Sequence, residues 1–166
     1  MGEMAKKITQ TDIEHLLKIL NEAYAEEWLA YYQYWIAAKV AYGLERSPIV
    51  AEFSEHAAEE LKHASWLADR IIQLGGVPLI NPQEWNEVAK CKYITPHNFD
   101  VISLLHDNLE AERCAIGRYE GICALTHSHD YETYRIAEKI LKEELEHEQE
   151  LEDFLADIDM AKSLLK

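Results

Sequence analysis

Two Glu-x-x-His segments are the chemically loaded part of this 166-residue chain: Glu60-Leu61-Lys62-His63 and Glu144-Leu145-Glu146-His147. On a helix a spacing of three places carboxylate and imidazole on one face, a turn apart, where both reach one ion. Two further glutamates, Glu27 and Glu112, interrupt apolar stripes of their own. The positions repeat: Glu112 follows Glu27 by 85 residues, while Glu144 follows Glu60, and His147 follows His63, by 84. Around them Glu27-x-x-Ala30-x-x-x-Tyr34 matches Glu112-x-x-Ala115-x-x-x-Tyr119. Four carboxylates converging inside a fold would repel and be costly to bury. Divalent cations remove that cost, and four carboxylates with two imidazoles make a six-donor set for two ions. Hard oxygen and imidazole donors suit iron or manganese better than a thiolate zinc site. Glu110 is the rival to Glu112, but it lies about 200° away around the helix, off the face of Leu105, Leu109 and Ile116. Glu26, Glu59 and Glu143 read as exposed neighbours.

Four elements must bring these residues together. Four prolines (Pro48, Pro78, Pro82, Pro96) and glycines Gly43, Gly75 and Gly76, together with the polar link Thr126-His-Ser-His-Asp130, divide the chain into stretches of about 9–43, 48–74, 97–127 and 130–165. Each is rich in helix formers. Apolar residues recur with a period near 3.6, as in Leu16, Leu20, Tyr24, Glu27, Tyr31 and Tyr34. Asn98 or Asp100 suits the cap of the third helix, and Asp130 that of the fourth. Short links join the first helix to the second and the third to the fourth, so each pair is antiparallel. Between the second and third lies a connection running from Gly75 to Pro96, long enough to run the length of a bundle. The expectation is an all-α, ferritin-like four-helix bundle with one long crossover between helices 2 and 3 and no fifth helix.

Asp and Glu number 31 against 16 Lys and Arg, a net charge of −15, yet 48% of residues are hydrophobic. That composition excludes an acidic disordered tail. The charge disfavours nucleic acid and anionic lipid, and Lys6 and Lys7 make no basic tail. No apolar run is long enough to span a membrane, and MGEMAKKITQ has no signal-peptide core. Three cysteines (Cys91, Cys114, Cys123) do not read as a secreted disulfide framework. The expectation is one cytoplasmic domain over residues 1–166.

The residues carry a resemblance that covers nearly the whole chain. Glu27-Trp-Leu-Ala-Tyr-Tyr-Gln-Tyr34, Glu60-Leu-Lys-His63-Ala and Leu74-Gly-Gly-Val-Pro78 resemble bacterioferritin, of the ferritin-like superfamily. The resemblance implies that Glu27 and His63 bind one metal, Glu112 and His147 the other, and that Glu60 and Glu144 bridge them. Bacterioferritins place a haem-ligating Met after the bridging Glu of helix 2. Here that residue is Leu61, so no haem is expected. Glu110-Ala-Glu-Arg-Cys114-Ala-Ile, with Cys91-Lys-Tyr, resembles the Dps-like proteins called thioferritins. That likeness implies two iron ions per subunit, with manganese possible, and a redox cysteine pair at Cys91 and Cys114. It further implies Fe(II) oxidation with hydrogen peroxide or O2 and a hollow shell of about twelve copies. Read without the resemblance, the cysteines also suit small buried apolar positions. Cys123 lies about 13 Å beyond Cys114 along the same helix, too far to bridge it.

Tyr34, two turns after Glu27, is placed to hydrogen-bond a ligand, or simply to pack. His56, one turn before Glu60, is the candidate for an extra weak site, whereas His97, His106, His127 and His129 fall in loops or on the surface. Rival readings of the same ligands are a manganese catalase and a di-iron peroxidase or hydroxylase. A helical adaptor with solvated glutamates is the non-catalytic alternative.

Overall fold

A computed structural model describes residues 3–164. Four long helices dominate: α2 (Ile13–Val40), α3 (Arg46–Gln73), α5 (Val101–Thr126) and α6 (Tyr131–Leu164). Two short ones, α1 (Glu3–Ile8) and α4 (Trp85–Val88), were not expected from periodicity. Neither is long enough to carry a repeating apolar face.

The long helices begin at side-chain caps that satisfy otherwise orphaned backbone donors. Asp12 accepts from the N–H groups of Glu14 and His15. Asp100, rather than Asn98, accepts from Ile102 and Ser103, and Asp130 accepts from Thr133. Pro48 falls inside the first turn of α3, where its missing N–H costs nothing. The tight link before it uses Gly43 at φ +120°, which only glycine adopts without strain.

α2 and α3 form one antiparallel hairpin, and α5 and α6 the other. The crossover from Gly75 to Asp100 returns along the bundle, so α3 and α5 run parallel. Its start is fixed by close packing, since a Cβ on Gly76 would lie 2.6 Å from Leu17 Cδ2. Its middle is pinned where Trp85 stacks on Trp28 of α2, ring centroids 5.0 Å apart. Its end is tied by the Val101 N–H donating to Tyr42 O, 2.9 Å.

The core has two apolar halves. One packs Tyr34, Phe53, Leu105, Leu151 and neighbours. The other packs Leu20, Leu67, Ile71, Tyr119, Ile140 and neighbours. Between them, at mid-bundle, lies a layer that is almost entirely ionisable. Near one end, Arg70 is buried with its guanidinium on both Asp130 oxygens at 2.8 Å and on Thr133 Oγ1 at 2.8 Å, locking α3 to α6.

Candidate metal centre

The mid-bundle layer brings together all six residues singled out by spacing. Glu27, Glu60, Glu112, Glu144, His63 and His147 are each at most 3% exposed. His63 Nδ1 faces Glu60 at 3.1 Å, Glu144 at 3.2 Å and Glu27 at 3.3 Å. His147 Nδ1 faces Glu144 at 3.4 Å, Glu60 at 3.5 Å and Glu112 at 3.6 Å. So there are two four-residue groups with metal-ligand geometry, and they share Glu60 and Glu144. Glu110 is exposed and takes no part.

Hydrogen bonds hold the outer carboxylates in place. Tyr34 on α2 donates to Glu112 on α5, and Tyr119 on α5 donates to Glu27 on α2. Burial, together with the facing carboxylate, keeps both phenols protonated and therefore donors. Tyr34 thus does more than pack. The internal repeat matches Tyr119 to Tyr34, but spacing alone gives Tyr119 no role.

Two of the supposed exposed neighbours also belong here. His63 Nε2 lies 2.7 Å from Glu143, and His147 Nε2 lies 2.9 Å from Glu59. These carboxylates are about three-quarters covered because each leans across the α3–α6 interface onto the opposing imidazole. Glu26 is buried, contrary to expectation. It accepts from the backbone N–H groups of Lys90 and Cys91 and from Arg118, fastening the crossover over α2 and α5.

A ring this dense leaves polar atoms unsatisfied. Glu27 Oε2, Glu60 Oε1, both oxygens of Glu144 and His147 Nδ1 are buried without a hydrogen-bond partner. Such atoms are expensive unless something else engages them. They point into one volume, and their donor chemistry fits divalent iron or manganese. That is what the donor set of a dimetal carboxylate bundle requires.

The comparison with known families agrees: residues 17–161 match the ferritin-like domain. The chain belongs to the ferritin-like family. This ferritin-like chain is 38% identical over 149 residues to the DNA protection during starvation protein of Pyrococcus furiosus, covering 89% of this chain and 80% of that one. The bacterioferritin-related protein of Bacteroides fragilis, described as a dodecameric thioferritin, superposes with a TM-score of 0.96 at 50% identity. It covers 99% of this chain and 100% of its own. Dps from Thermosynechococcus elongatus shares the fold at a TM-score of 0.81 and 20% identity, over 86% of this chain and 90% of its own.

Protons balance the charges of this ferritin-like centre. Burial pushes Glu27 and Glu112 well above the ordinary carboxylate range. Burial acts the same way on Glu60 and Glu144, but the two imidazoles outweigh it and hold both low. Burial disfavours a cation on His63 and His147, yet the surrounding carboxylates reverse this and raise both. The imidazoles are thus held toward the charged form and the outer carboxylates toward the neutral form, which lessens the repulsion among the four carboxylates.

Cys91 and Cys114 are joined by a disulfide, Cα to Cα 5.7 Å, that ties the crossover to α5. Cys91 lines a pocket with Leu29, Ala30, Ala115, Tyr119 and Glu112 that opens over the centre. Cys123 is a half-buried free thiol. His97, His106, His127 and His129 are exposed, and none belongs to a ligand group among the described residues. His56 is 1% exposed and stacks on His147, centroids 4.0 Å apart. Burial and then the neighbouring His147 push it down to about 4. No helix is long and apolar enough to cross a membrane among the described residues.

Proposed function

We propose that this protein is a mini-ferritin that oxidises Fe(II) at the mid-bundle centre and stores the ferric product in a shell of its own copies. The observation that carries this reading is the convergence of four carboxylates and two imidazoles, with buried atoms left unpaired, in two groups that share Glu60 and Glu144. Glu27 with His63 would hold one Fe(II), and Glu112 with His147 the other. Glu60 and Glu144 would contact both.

The protein's own part is positioning. Tyr34 and Tyr119 fix the outer carboxylates from the opposite hairpin. Glu143 and Glu59 accept from Nε2–H of His63 and His147, which leaves each Nδ1 turned to the centre. Each Fe(II) gives up one electron. Hydrogen peroxide accepts both, its O–O bond breaks, and hydrolysis of the ferric product releases protons. O2 is the alternative oxidant. The apolar walls of the Cys91 pocket suit a small neutral oxidant, and the disulfide beside it would exchange with cellular thiols. A shell of twelve copies is taken from the Bacteroides fragilis relative, named as dodecameric. The −15 charge favours gathering cations rather than coating DNA. Protection of DNA, the property named for the Pyrococcus relative, would therefore come from consuming iron and oxidant.

A Glu60→Ala variant tests the reading. Rapid Fe(II) oxidation should be lost while helix content and shell size are kept. Normal rates in that variant would sink the proposal. Oxygen evolution from peroxide without iron consumption would favour a catalase instead.

A further inference from the structure

The slot between α2 and α5 has a construction that metal ligation does not explain. Its inner end is lined by Glu27, Glu60, Glu112 and Glu144. Glu27 Oε2, Glu60 Oε1 and both Glu144 oxygens are buried there without a hydrogen-bond partner. Nearer the surface the walls turn apolar and half-buried, with Leu29 and Ala30 from α2 facing Ala111 and Ala115 from α5. Ala30 and Ala115 hold matching places in the internal repeat, each three residues after an outer glutamate. One turn from each outer ligand, the chain therefore uses the smallest side chain that still favours helix.

The crossover covers this slot with Cys91, Lys92 and Tyr93. The cover is fixed at three points. Glu26 accepts from the N–H groups of Lys90 at 2.6 Å and Cys91 at 3.3 Å. The Cys91–Cys114 disulfide ties it to α5, and Gln33 of α2 accepts from the Ile94 N–H at 2.9 Å. The space that remains is about 30 Å³. A single water needs roughly 10–15 Å³ on this measure, so the slot takes a molecule of about two heavy atoms. Hydrated Fe(II) is larger, and shedding its waters against apolar walls is costly.

We infer that this slot is the entrance for the oxidant alone, and that Ala30 and Ala115 set its size limit, admitting hydrogen peroxide or O2 and rejecting alkyl hydroperoxides and metal ions. The inference rests on the ferroxidase reading and adds to it a route that serves only one of the two substrates. Either kind of peroxide takes two electrons from two Fe(II) and two protons as its O–O bond breaks. Hydrogen peroxide yields two waters, and an alkyl hydroperoxide yields one water and an alcohol. The electron count is the same for both, so access is what separates them.

Ala30→Val and Ala115→Val, singly and together, place extra methyl groups in the slot without altering a ligand. Stopped-flow mixing of the assembled, Fe(II)-loaded protein with hydrogen peroxide should show oxidation slowed about tenfold or more in the double variant. tert-Butyl hydroperoxide should oxidise the native centre about 100-fold more slowly than hydrogen peroxide, once each rate is divided by that for free Fe(II). Co(II) uptake by the metal-free protein, followed by absorption, should keep its native rate and stoichiometry in every variant. Xenon under pressure should give an anomalous peak between Ala30 and Ala115 in metal-free native crystals and none in the double variant. Native peroxide rates in the double variant, equal corrected rates for the two peroxides, Co(II) uptake slowed in parallel, or xenon missing from the native slot would each overturn the entrance. No Fe(II) oxidation by hydrogen peroxide in the native chain, with Co(II) bound normally, would overturn the ferroxidase reading and the entrance with it.

Discussion

Filling the centre with cations should expel the protons that now balance it. In the metal-free cluster burial pushes the Glu27 and Glu112 carboxyls up, and the surrounding carboxylates raise His63 and His147, so all four groups hold their protons more tightly than usual. Metal ligation requires all four groups deprotonated at the ligating atom, so two divalent ions displace about four protons. Each ion then carries about two, and its apparent affinity should rise about a hundredfold per pH unit near neutrality. Zn(II) is the right perturbation because it undergoes no oxidation and adds no hydrolytic protons of that kind. Proton release can be read from an indicator dye in weak buffer, or from calorimetry in two buffers of different ionisation enthalpy. Glu27→Gln should lower the release by about one proton, since Gln has none to give. All four groups have pKa values raised by folding, so their contribution to stability is present at low pH and lost as pH rises through the folded values. The metal-free bundle should therefore melt progressively lower above neutral pH, and the Zn-loaded bundle should not. Release of one proton or fewer per pair of ions, or an affinity flat between pH 6 and 8, would refute this charge assignment.

Other expectations follow from single contacts. Tyr119→Phe removes the donor to Glu27, and loss of such a supporting hydrogen bond should weaken metal affinity or oxidation rate by about 10- to 100-fold. Tyr34→Phe should do the same through Glu112, which stopped-flow oxidation would register. Arg70→Met strands Asp130 in the core and should cost about 3–5 kcal/mol. The Asp130 carboxyl is held low by Thr133 and Arg70 against burial, so its contribution is present above its unfolded pKa and lost as pH falls through the folded one. Reduction of Cys91–Cys114, which closes a loop of sequence separation 23, should cost about 2–4 kcal/mol in a thermal melt run with and without reductant. A melt unchanged by reductant, or no linkage by mass spectrometry, would contradict the bridge.

The long helices and their order were legible because apolar stripes, caps and two cuts by Pro and Gly all point the same way. The six converging residues were legible for a different reason: a charged residue within an apolar stripe conflicts with its surroundings, and here the conflict occurs at matching places in both halves. What stayed hidden depended on neighbours from other elements. Glu26 is one position from Glu27 and about 100° around the helix. Only the crossover backbone and Arg118, arriving from elsewhere in the chain, make that a buried position. Glu59 and Glu143 look like solvent-facing partners of Glu60 and Glu144. The far nitrogen of each imidazole, presented by the opposite helix, draws them in. The short helix at Trp85–Val88 is similarly defined by a stack on Trp28 rather than by its own pattern.

The internal repeat explains why these supporting contacts cross between hairpins. Each half contributes one outer Glu, one Glu-x-x-His and one tyrosine, but the tyrosine of one half serves the glutamate of the other. The same holds for the outer carboxylates, since Glu59 of α3 meets His147 of α6 and Glu143 of α6 meets His63 of α3. Neither hairpin therefore contains a finished half-site. The apolar layers above and below are shared between hairpins too, with Phe53 beside Leu105 and Leu20 beside Ile140 in the same clusters. Docking of the hairpins and completion of the centre are thus one event. A substitution that merely loosens the α3–α6 contact, such as Arg70→Met far from any ligand, should lower metal affinity along with stability. If affinity stayed at the native value while the melt fell by several degrees, the two would be independent, and the coupling argued from the crossed contacts would be wrong.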